Sequence, residues 1–392
     1  MRDGHVIVIG GGSSGLATAA ELGRRGVPAT VLERSGVVGA SWTRRYDGLK
    51  LNTARRFSQL PHGPFPSGTT TFPARDDVVR YLAAYAERHE LDVRRDTRVD
   101  RIDREDGRWV VRTSKGDMTA GQVVIASGYD HTGHIPAWPG RDDYTRPLLH
   151  AAEYRNPEPY RGRDVLVVGS GCTGAEIAYD LAEGGAARVR MAVRTPPNIL
   201  LRSPMGVLMA RIFLRLPPRG ADAVLRRVRA KELGDLTDVG LPVPEEGVFS
   251  RLRRLGVAPM IVDHEVIDAF RARRIEVVGG VEALDDDGVL LADGERIEPD
   301  AVIAATGYRC GLDDMIGHLG VLDERGIPRA HAQVAAAPGL RFVGYIPLPA
   351  MFSYAGRQAR HAAKAIAREM RWGATAPTAR LNARRPQPSR AA

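Results

Sequence analysis

The chain has 392 residues, of which 43% are hydrophobic and 26% charged, the composition of a globular protein long enough for two domains. Its two cysteines, Cys172 and Cys310, are too few for a disulfide framework and are consistent with a reducing cytoplasm. The net charge of +9 would attract anionic cofactors, but the arginines are scattered and no nucleic-acid motif accompanies them, so we expect no nucleic-acid partner.

The first predicted element is a buried strand that leads directly into a glycine-rich loop and a helix. The strand is Val6–Ile9, and the helix follows from Leu16. This order is typical of a dinucleotide-binding unit, in which the glycines permit a tight turn, a close backbone approach to a pyrophosphate and close helix packing. The loop residues predicted to bind the dinucleotide are Gly10, Gly12, Ser13, Ser14 and Gly15.

The strand that follows this helix ends at Glu33, about 20 positions after the first glycine of the loop. A carboxylate at this place accepts a hydrogen bond from a free ribose 2′-hydroxyl. Glu33 therefore predicts a dinucleotide without a 2′-phosphate.

A second copy of the same unit begins at the predicted strand Val165–Val168. Its next strand ends at Arg194 and Thr195, where the first copy has its acid. An arginine at that place suits a 2′-phosphate, so the second copy predicts NADP(H). The loop residues predicted to bind this second dinucleotide are Gly169, Gly171, Thr173 and Gly174.

Two further apolar runs, Val123–Ala126 and Ala301–Ala305, lie on either side of the second unit and end in glycine turns. Each resembles the segment at which flavoproteins of the disulfide-reductase type cross between two nucleotide domains, the second through Thr306 and Gly307. The resemblance implies an FAD domain into which an NADPH domain is inserted. We therefore predict an α/β fold of two Rossmann-like, three-layer domains, with 1–155 and 300–372 binding FAD and 160–299 binding NADPH.

Residues 202–260 predict a helical cover, and the tail 373–392 predicts disorder because it lacks an apolar period. The apolar stretch 204–216 is interrupted by arginines and is shorter than the roughly 20 residues that cross a bilayer. The arginine-rich segment 221–233 fits either a membrane-surface helix or the solvated face of a cover helix. We expect a cytoplasmic protein with neither a signal peptide nor a stable membrane insertion.

A family resemblance is carried by four segments. They are Gly39-Ala40-Ser41-Trp42, Leu51-Asn52-Thr53, Phe57 to Pro66, and the eleven-residue segment that runs from Tyr144 through His150 to Tyr154. Together they resemble the class B flavin-containing monooxygenases, and they are most similar to the YUCCA-like group. The last segment matches the FxGxxxHxxxY signature except that tyrosine replaces phenylalanine at 144 and Arg146 replaces the glycine.

The resemblance implies NADPH-dependent oxygen transfer. NADPH reduces FAD, O2 adds at the flavin C4a position, and the resulting (hydro)peroxide transfers one oxygen atom to a small hydrophobic organic substrate. That substrate is either a nucleophilic nitrogen or sulfur centre or a 2-oxo acid that is oxidatively decarboxylated. The alternatives are Baeyer–Villiger-type oxygenation, which the pair Tyr154-Arg155 disfavours, and a flavoprotein NADPH oxidase or electron-transfer reductase. The expected partners are O2 and the substrate, with a homodimer as an open alternative.

The resemblance also implies roles for individual residues. Asn52 is implied as the catalytic amide beside the flavin, because an amide donates a hydrogen bond without supplying an acidic proton; a plain turn residue is its alternative. His150 is interpreted as a packing or hinge residue, and His62 as a surface residue, each with a catalytic alternative. Further residues implied at the cofactors are Arg34, Trp42, Thr53, Thr306, Gly307, Gly356 and Gln358, the last two at the predicted start of the final helix.

Overall fold

The computed structural model describes residues 4–203, 206, 209, 212–255, 260–346 and 351–372. Two five-stranded parallel sheets organise the chain, which confirms the predicted α/β class. The first sheet contains residues from both ends of the chain. Its strands, in spatial order, are Leu340–Phe342, Gln122–Ile125, Val6–Ile9, Ala29–Leu32 and Asp92–Arg94.

Two long helices pack together on one face of the first sheet. They are Ser13–Gly23, which follows the first glycine loop, and Met351–Trp372 near the chain end. Small buried side chains at their contact, including Ala20, Ala359 and Ala363, allow the two helices to approach closely. Helices Ala40–Thr43 and Arg75–Arg88 complete this side of the sheet.

The second sheet is built in the same way around the second glycine loop. Its strands, in spatial order, are Glu276–Gly279, Arg188–Val193, Asp164–Val168, Ala301–Ala304 and Leu148–His150, and every pair is parallel. Helices Cys172–Glu183 and His264–Arg271 share its apolar core through Ile177 and Phe270. Parallel strands are buried on both faces, which explains why Val165–Val168 and Ala301–Ala304 are uninterrupted apolar runs.

Two strands of the second sheet, 148–150 at its edge and 301–304 beside it, lie outside the range 160–299 that we predict for the inserted domain. The chain crosses between the sheets just beyond the strands 122–125 and 301–304. There, Thr132–Gly133 and Tyr308–Arg309 form a short antiparallel pair. The assignment of whole domains to FAD and NADPH stays a prediction.

His150 and Arg146 of the signature segment both bond to residues near the second crossing between the sheets. His150 is buried, and its Nε2 lies 2.9 Å from the carbonyl oxygen of Gly307. Arg146 donates to the carbonyl oxygens of Glu298 and Pro299, each at 3.0 Å, so the arginine that replaces the signature glycine bonds the segment to the second sheet.

Two three-stranded antiparallel ribbons flank the sheets. One contains Val99–Glu105, Arg108–Thr113 and Met118–Ala120, and the other contains Val281–Leu284, Val289–Leu291 and Arg296–Ile297. In the first, Asp106 and Gly107 both adopt positive φ, as a tight hairpin requires. The segment 276–279, which precedes the second ribbon in the chain, belongs to the parallel sheet.

The described part of the cover consists of two helices, Pro218–Leu233 and Val248–Leu255, with the short parallel pair Asn198–Ile199 and Met260–Ile261 beneath them. Ala221, Val248 and Phe249 form a small separate core.

Within the described ranges, no helix combines the length and the apolar character needed to cross a membrane. The tail 373–392 lies outside the described residues. The remaining short helices are Arg55–Phe57, Glu158–Tyr160, Thr237–Val239, Asp313–Ile316 and Gly317–Leu319.

Candidate active site between the two glycine loops

The first glycine loop has a backbone shape that only glycines permit. Gly10 has φ 108°, and a Cβ atom there would lie 2.9 Å from the Cα atom of Ser127. A Cβ atom on Gly15 would overlap the carbonyl oxygen of Gly10. At Gly12, by contrast, no heavy atom lies within 4 Å of the added position, and this open space precedes the first turn of the helix that begins at Ser13. Backbone N–H groups at such a helix start are suited to a pyrophosphate, so the loop fits a dinucleotide.

Glu33 is held rigidly at the end of the adjacent strand. Its carboxylate accepts hydrogen bonds from the N–H groups of Gly11 at 2.8 Å and Ser35 at 2.9 Å, and its side chain is buried. The carboxylate is therefore fixed against the loop itself. The neighbouring Arg34 is exposed, and its Nη1 lies 2.9 Å from Nε2 of His131.

The second glycine loop repeats this geometry. Gly169 has φ 119°, and a Cβ atom on Gly174 would overlap its carbonyl oxygen. Gly171 caps the helix that contains Thr173 in its first turn. At the end of the next strand, Arg194 and Thr195 are both exposed, and the carbonyl of Thr195 accepts a hydrogen bond from Ser170 Oγ at 3.1 Å. The second loop thus also fits a dinucleotide, with an exposed arginine at its edge.

Trp42 lies beside the first loop. The N–H group of Gly39, at the start of its short helix, donates to the carbonyl of Gly11 at 2.9 Å. The Trp42 ring packs against Phe352 with their centroids 5.5 Å apart. This contact joins the segment 39–42 to the final helix.

The predicted start of the final helix was wrong. The described helix runs over Met351–Trp372, which places Gly356 in its second turn. Packing requires a glycine at this position. A Cβ atom on residue 356 would lie 2.6 Å from Pro61 Cδ, so the helix can pack on that proline only through a glycine. Gln358 is buried, and its Oε1 accepts a hydrogen bond from the N–H group of Gly344 at 2.7 Å.

Several of the residues considered from the sequence bond to other protein groups, some nearby and some distant in the chain. Thr53 Oγ1 lies 2.5 Å from Oγ of the buried Ser58. Thr306 donates to the carbonyl of His134, and Gly307 has φ 91° at the crossing between the sheets. His62 Nε2 lies 3.2 Å from Oε1 of the buried Glu21.

Asn52 is exposed, and its side chain contacts a group of charged residues from the second half of the chain. Arg202 Nη2 donates to Asn52 Oδ1 at 3.0 Å, to Glu176 Oε1 at 2.9 Å and to Asp263 Oδ2 at 3.2 Å. Tyr46 donates from its hydroxyl to the other Glu176 oxygen at 2.5 Å. We call Tyr46, Asn52, Glu176, Arg202 and Asp263 the inter-sheet cluster, because it joins the segment 46–52 to helices of the second sheet.

In the inter-sheet cluster, Tyr46 is buried, Glu176, Arg202 and Asp263 are partly buried, and Asn52 is exposed. Burial raises the pKa of Glu176 to about 7, although the neighbouring Arg202 acts in the opposite direction. Burial likewise raises the pKa of Asp263. At Cys172, one turn before Glu176, burial raises the pKa of the thiol to about 12, so it stays protonated at neutral pH.

Sequence reasoning missed four of the five cluster residues. The available signal was Glu176, which stands between the buried apolar residues Ala175 and Ile177 in a helix that packs on a sheet. A buried acid of this kind needs a partner, but the sequence does not indicate that the partners are Tyr46 and Arg202.

Comparisons with known proteins agree with this geometry. Residues 7–200 match the family described as pyridine nucleotide-disulphide oxidoreductase. The chain is 35% identical to an indole-3-pyruvate monooxygenase of Oryza sativa subsp. japonica, YUCCA1, over 81% of this chain and 80% of the relative. It is 32% identical to a probable indole-3-pyruvate monooxygenase of Arabidopsis thaliana, YUCCA8, over 83% and 80%.

Solved structures share the whole fold. A double mutant of a flavin monooxygenase from Stenotrophomonas maltophilia is 25% identical and superposes with a TM-score of 0.73 over 94% of this chain and 99% of that one. A complex of the enzyme OTEMO with FAD and NADP superposes with a TM-score of 0.73 over 94% and 84% at 18% identity, which shows the fold alone. With two intact nucleotide loops and relatives that match over four fifths of its length, the chain belongs to the YUCCA-like flavin-containing monooxygenases, which use FAD and NADPH.

Proposed function

We propose that the first glycine loop and Glu33 hold FAD, and that the second loop with Arg194 and Thr195 holds NADPH. The domain division that follows assigns 1–155 and 300–372 to FAD and 160–299 to NADPH, with the strands 148–150 and 301–304 at the boundary. The contrast between the buried acid and the exposed arginine supports this order, because a free 2′-hydroxyl needs an acceptor and a 2′-phosphate needs a donor.

We further propose that the enzyme oxidatively decarboxylates a 2-oxo acid with a hydrophobic side chain. One oxygen atom of O2 enters the carboxylic acid product and the other leaves as water, while NADPH supplies two electrons and CO2 is released. Relatives that are named as indole-3-pyruvate monooxygenases and match over four fifths of the chain support this choice. Structural neighbours of the Baeyer–Villiger type are under 25% identical, so they bear on the fold only.

Bound FAD supplies the activation of oxygen, and the chain supplies position, hydrogen bonds and exclusion of water. In the proposal, the Asn52 amide donates a hydrogen bond beside the flavin ring. The partly buried side chains Leu200, Phe213, Leu214 and Met260 of the cover offer an apolar wall for the substrate.

The observation that carries the proposal is the position of Asn52. It is exposed, yet it is bonded through Arg202 to the helix that begins at the second glycine loop. This position between the two glycine loops supports the proposal that Asn52 lies where the flavin and the nicotinamide meet for reduction.

The test uses the FAD-loaded enzyme with NADPH and oxygen-18 gas. Probes are phenylpyruvate and indole-3-pyruvate, each compared with an amine, a thioether and a ketone that carry the same aromatic group. We expect one CO2 per NADPH and one labelled oxygen in the carboxylate of the product for the 2-oxo acids. Oxygenation of the amine or thioether without CO2 would move the substrate to a nucleophilic centre. Peroxide equal to the NADPH consumed, with every probe, would make the protein an NADPH oxidase.

A further inference from the structure

Arg202 lies at the centre of the inter-sheet cluster and contacts Asn52 directly. Its side chain is 10% exposed and is held by Glu176 and Asp263, which are themselves 11% and 19% exposed. Its guanidinium also faces the ring of Phe72 at 5.8 Å. Asn52, in contrast, is exposed. The arginine is therefore the fixed partner of the pair and the asparagine the dependent one.

The chemistry of the contact determines which end of the Asn52 amide faces Arg202. A guanidinium has five N–H donors and no acceptor, so only the carbonyl oxygen of the amide can bond to it. The carbonyl and NH2 ends of an amide have nearly the same shape, and rotation about the last side-chain bond exchanges them at little cost unless a partner selects one. With Oδ1 bound to Arg202 at 3.0 Å, the NH2 group is directed to the opposite side.

We propose that Arg202 is a positioning residue that fixes the orientation of the Asn52 amide, so that its NH2 group is presented as a hydrogen-bond donor beside the flavin. The inference rests on the proposed role of Asn52 at the flavin. Arg202 acts through Asn52 and needs no contact of its own with the reacting atoms.

The supports of Arg202 come from both halves of the molecule. Glu176 belongs to the helix that starts at the second glycine loop, and Asp263 directly precedes the helix His264–Arg271. Tyr46 reaches from the first half of the chain to the second oxygen of Glu176. The donor end of Asn52 is therefore correctly placed only when both halves are docked, which links oxygen chemistry to an assembled coenzyme site.

A spectroscopic test does not depend on turnover. The chain contains four asparagines, Asn52, Asn156, Asn198 and Asn382, so protein labelled with nitrogen-15 in asparagine side chains gives four NH2 signals. The signal that is missing in Asn52→Leu identifies Asn52. In Arg202→Met we expect this signal to shift and broaden, because the amide then samples both orientations, while the other three signals stay unchanged. An unchanged Asn52 signal would overturn the proposal.

A matched control and a conservative variant separate positioning from loss of structure. Arg190 is another buried arginine of the second sheet, paired with Asp164 at 2.6 Å, so Arg190→Met removes a similar ion pair far from Asn52 and should leave the Asn52 signal in place. Arg202→Lys keeps the positive charge beside Glu176 and Asp263. It should fold even if Arg202→Met does not, and it should show an intermediate shift of the Asn52 signal.

Kinetic measurements complete the test. Loss of one hydrogen bond should raise the peroxide released per NADPH about fivefold in both Asn52→Leu and Arg202→Met, and the double variant should be no worse than either alone. Anaerobic flavin reduction should change less than about twofold in Arg202→Met, which a general loss of structure would not allow. Uncoupling in Asn52→Leu without uncoupling in Arg202→Met would overturn the positioning role.

If Asn52→Leu remains fully coupled, the proposed role of Asn52 at the flavin fails. The NMR result then decides the inference by itself: an altered Asn52 signal in Arg202→Met would still support positioning of the amide, and an unaltered one would remove it.

Discussion

The two glycine loops have the same backbone shape and different recognition groups. Both start with a glycine at strongly positive φ, and both end with a glycine packed on the carbonyl of the first. Glu33 is already bound to two N–H groups of its own loop, whereas Arg194 is exposed and makes no ion pair with another described residue. One site is therefore rigid before its ligand binds and the other presents a free cation, which suits a retained cofactor and an exchanging coenzyme respectively.

The largest effect should come from the glycines of the first loop. Gly15→Ala forces a Cβ atom into the carbonyl of Gly10, which should cost roughly 3 kcal/mol or more and prevent normal folding. Gly12→Ala places its Cβ atom in open space, so the flavin-free protein should keep its melting temperature, while FAD binding is lost because the methyl group occupies the phosphate approach.

Thermal unfolding of flavin-free protein and FAD content after reconstitution measure the two effects. Normal FAD content in Gly12→Ala would mean that the pyrophosphate does not lie over this glycine. At the second loop, Gly171→Ala should weaken NADPH binding and leave FAD in place.

The recognition groups are tested next by Arg194→Ala. A hydrogen bond between charged groups contributes about 1.5–3 kcal/mol, so the dissociation constant for NADPH should rise roughly tenfold or more, with little change for NADH. Arg163→Ala is the control, because it removes the same charge from the opposite end of the second sheet and should change neither constant. Titration of each coenzyme under anaerobic conditions gives both values. Equal weakening of NADPH and NADH would mean that Arg194 supports the fold.

The sequence predicted the loops and failed to predict the inter-sheet cluster, for a physical reason. A glycine loop is a local structure, since strand, turn and helix are consecutive and the steric requirement at Gly10 or Gly15 acts within the motif. The contacts of Arg202 with residues 52, 176 and 263 arise only after both sheets form. No periodicity in the chain records such a contact.

Errors at element ends have the same origin. In the sequence, Gly356 resembles a helix boundary, but the final helix starts before it. The glycine is instead a packing position, because Pro61 lies against it. Likewise, the strand 276–279 pairs with the distant strand 188–193. The residues near 276–279 contain no local signal for that pairing.

Glu176 makes the stability of the second sheet depend on pH. The equivalent residue in the helix of the first loop is Ala17, which does not titrate. Because burial raises the pKa of Glu176 from 4.5 to about 7, the folded protein binds the proton more tightly than the unfolded chain does. Its contribution to the free energy of unfolding is therefore greatest below about pH 4.5 and falls as the pH rises through about 7, by about 1–3 kcal/mol.

The measurement is the difference in melting temperature between wild type and Glu176→Gln across this pH range. Both proteins share every other titrating group, including Tyr46, Lys50, Asp263 and Cys172 around the site. We expect wild type to lose stability relative to the variant as the pH rises. A difference that is constant with pH would mean that Glu176 titrates alike in the folded and unfolded chain.

The smallest effect is expected where the two loops differ by a single atom type. Ser13 occupies the first turn of the first loop's helix and Cys172 the matching turn of the second, so Cys172→Ser makes the second loop resemble the first. Burial raises the pKa of the Cys172 thiol to about 12, so at neutral pH the residue is an uncharged thiol and the change to a hydroxyl alters little. Unfolding free energy should change by less than about 0.5 kcal/mol and the NADPH dissociation constant by less than about twofold.

Native enzyme at mildly alkaline pH should also resist alkylation by iodoacetamide, whereas denatured enzyme should react at both cysteines. Rapid alkylation of native Cys172, or a fivefold change in NADPH binding in Cys172→Ser, would show instead that the thiol contacts the coenzyme.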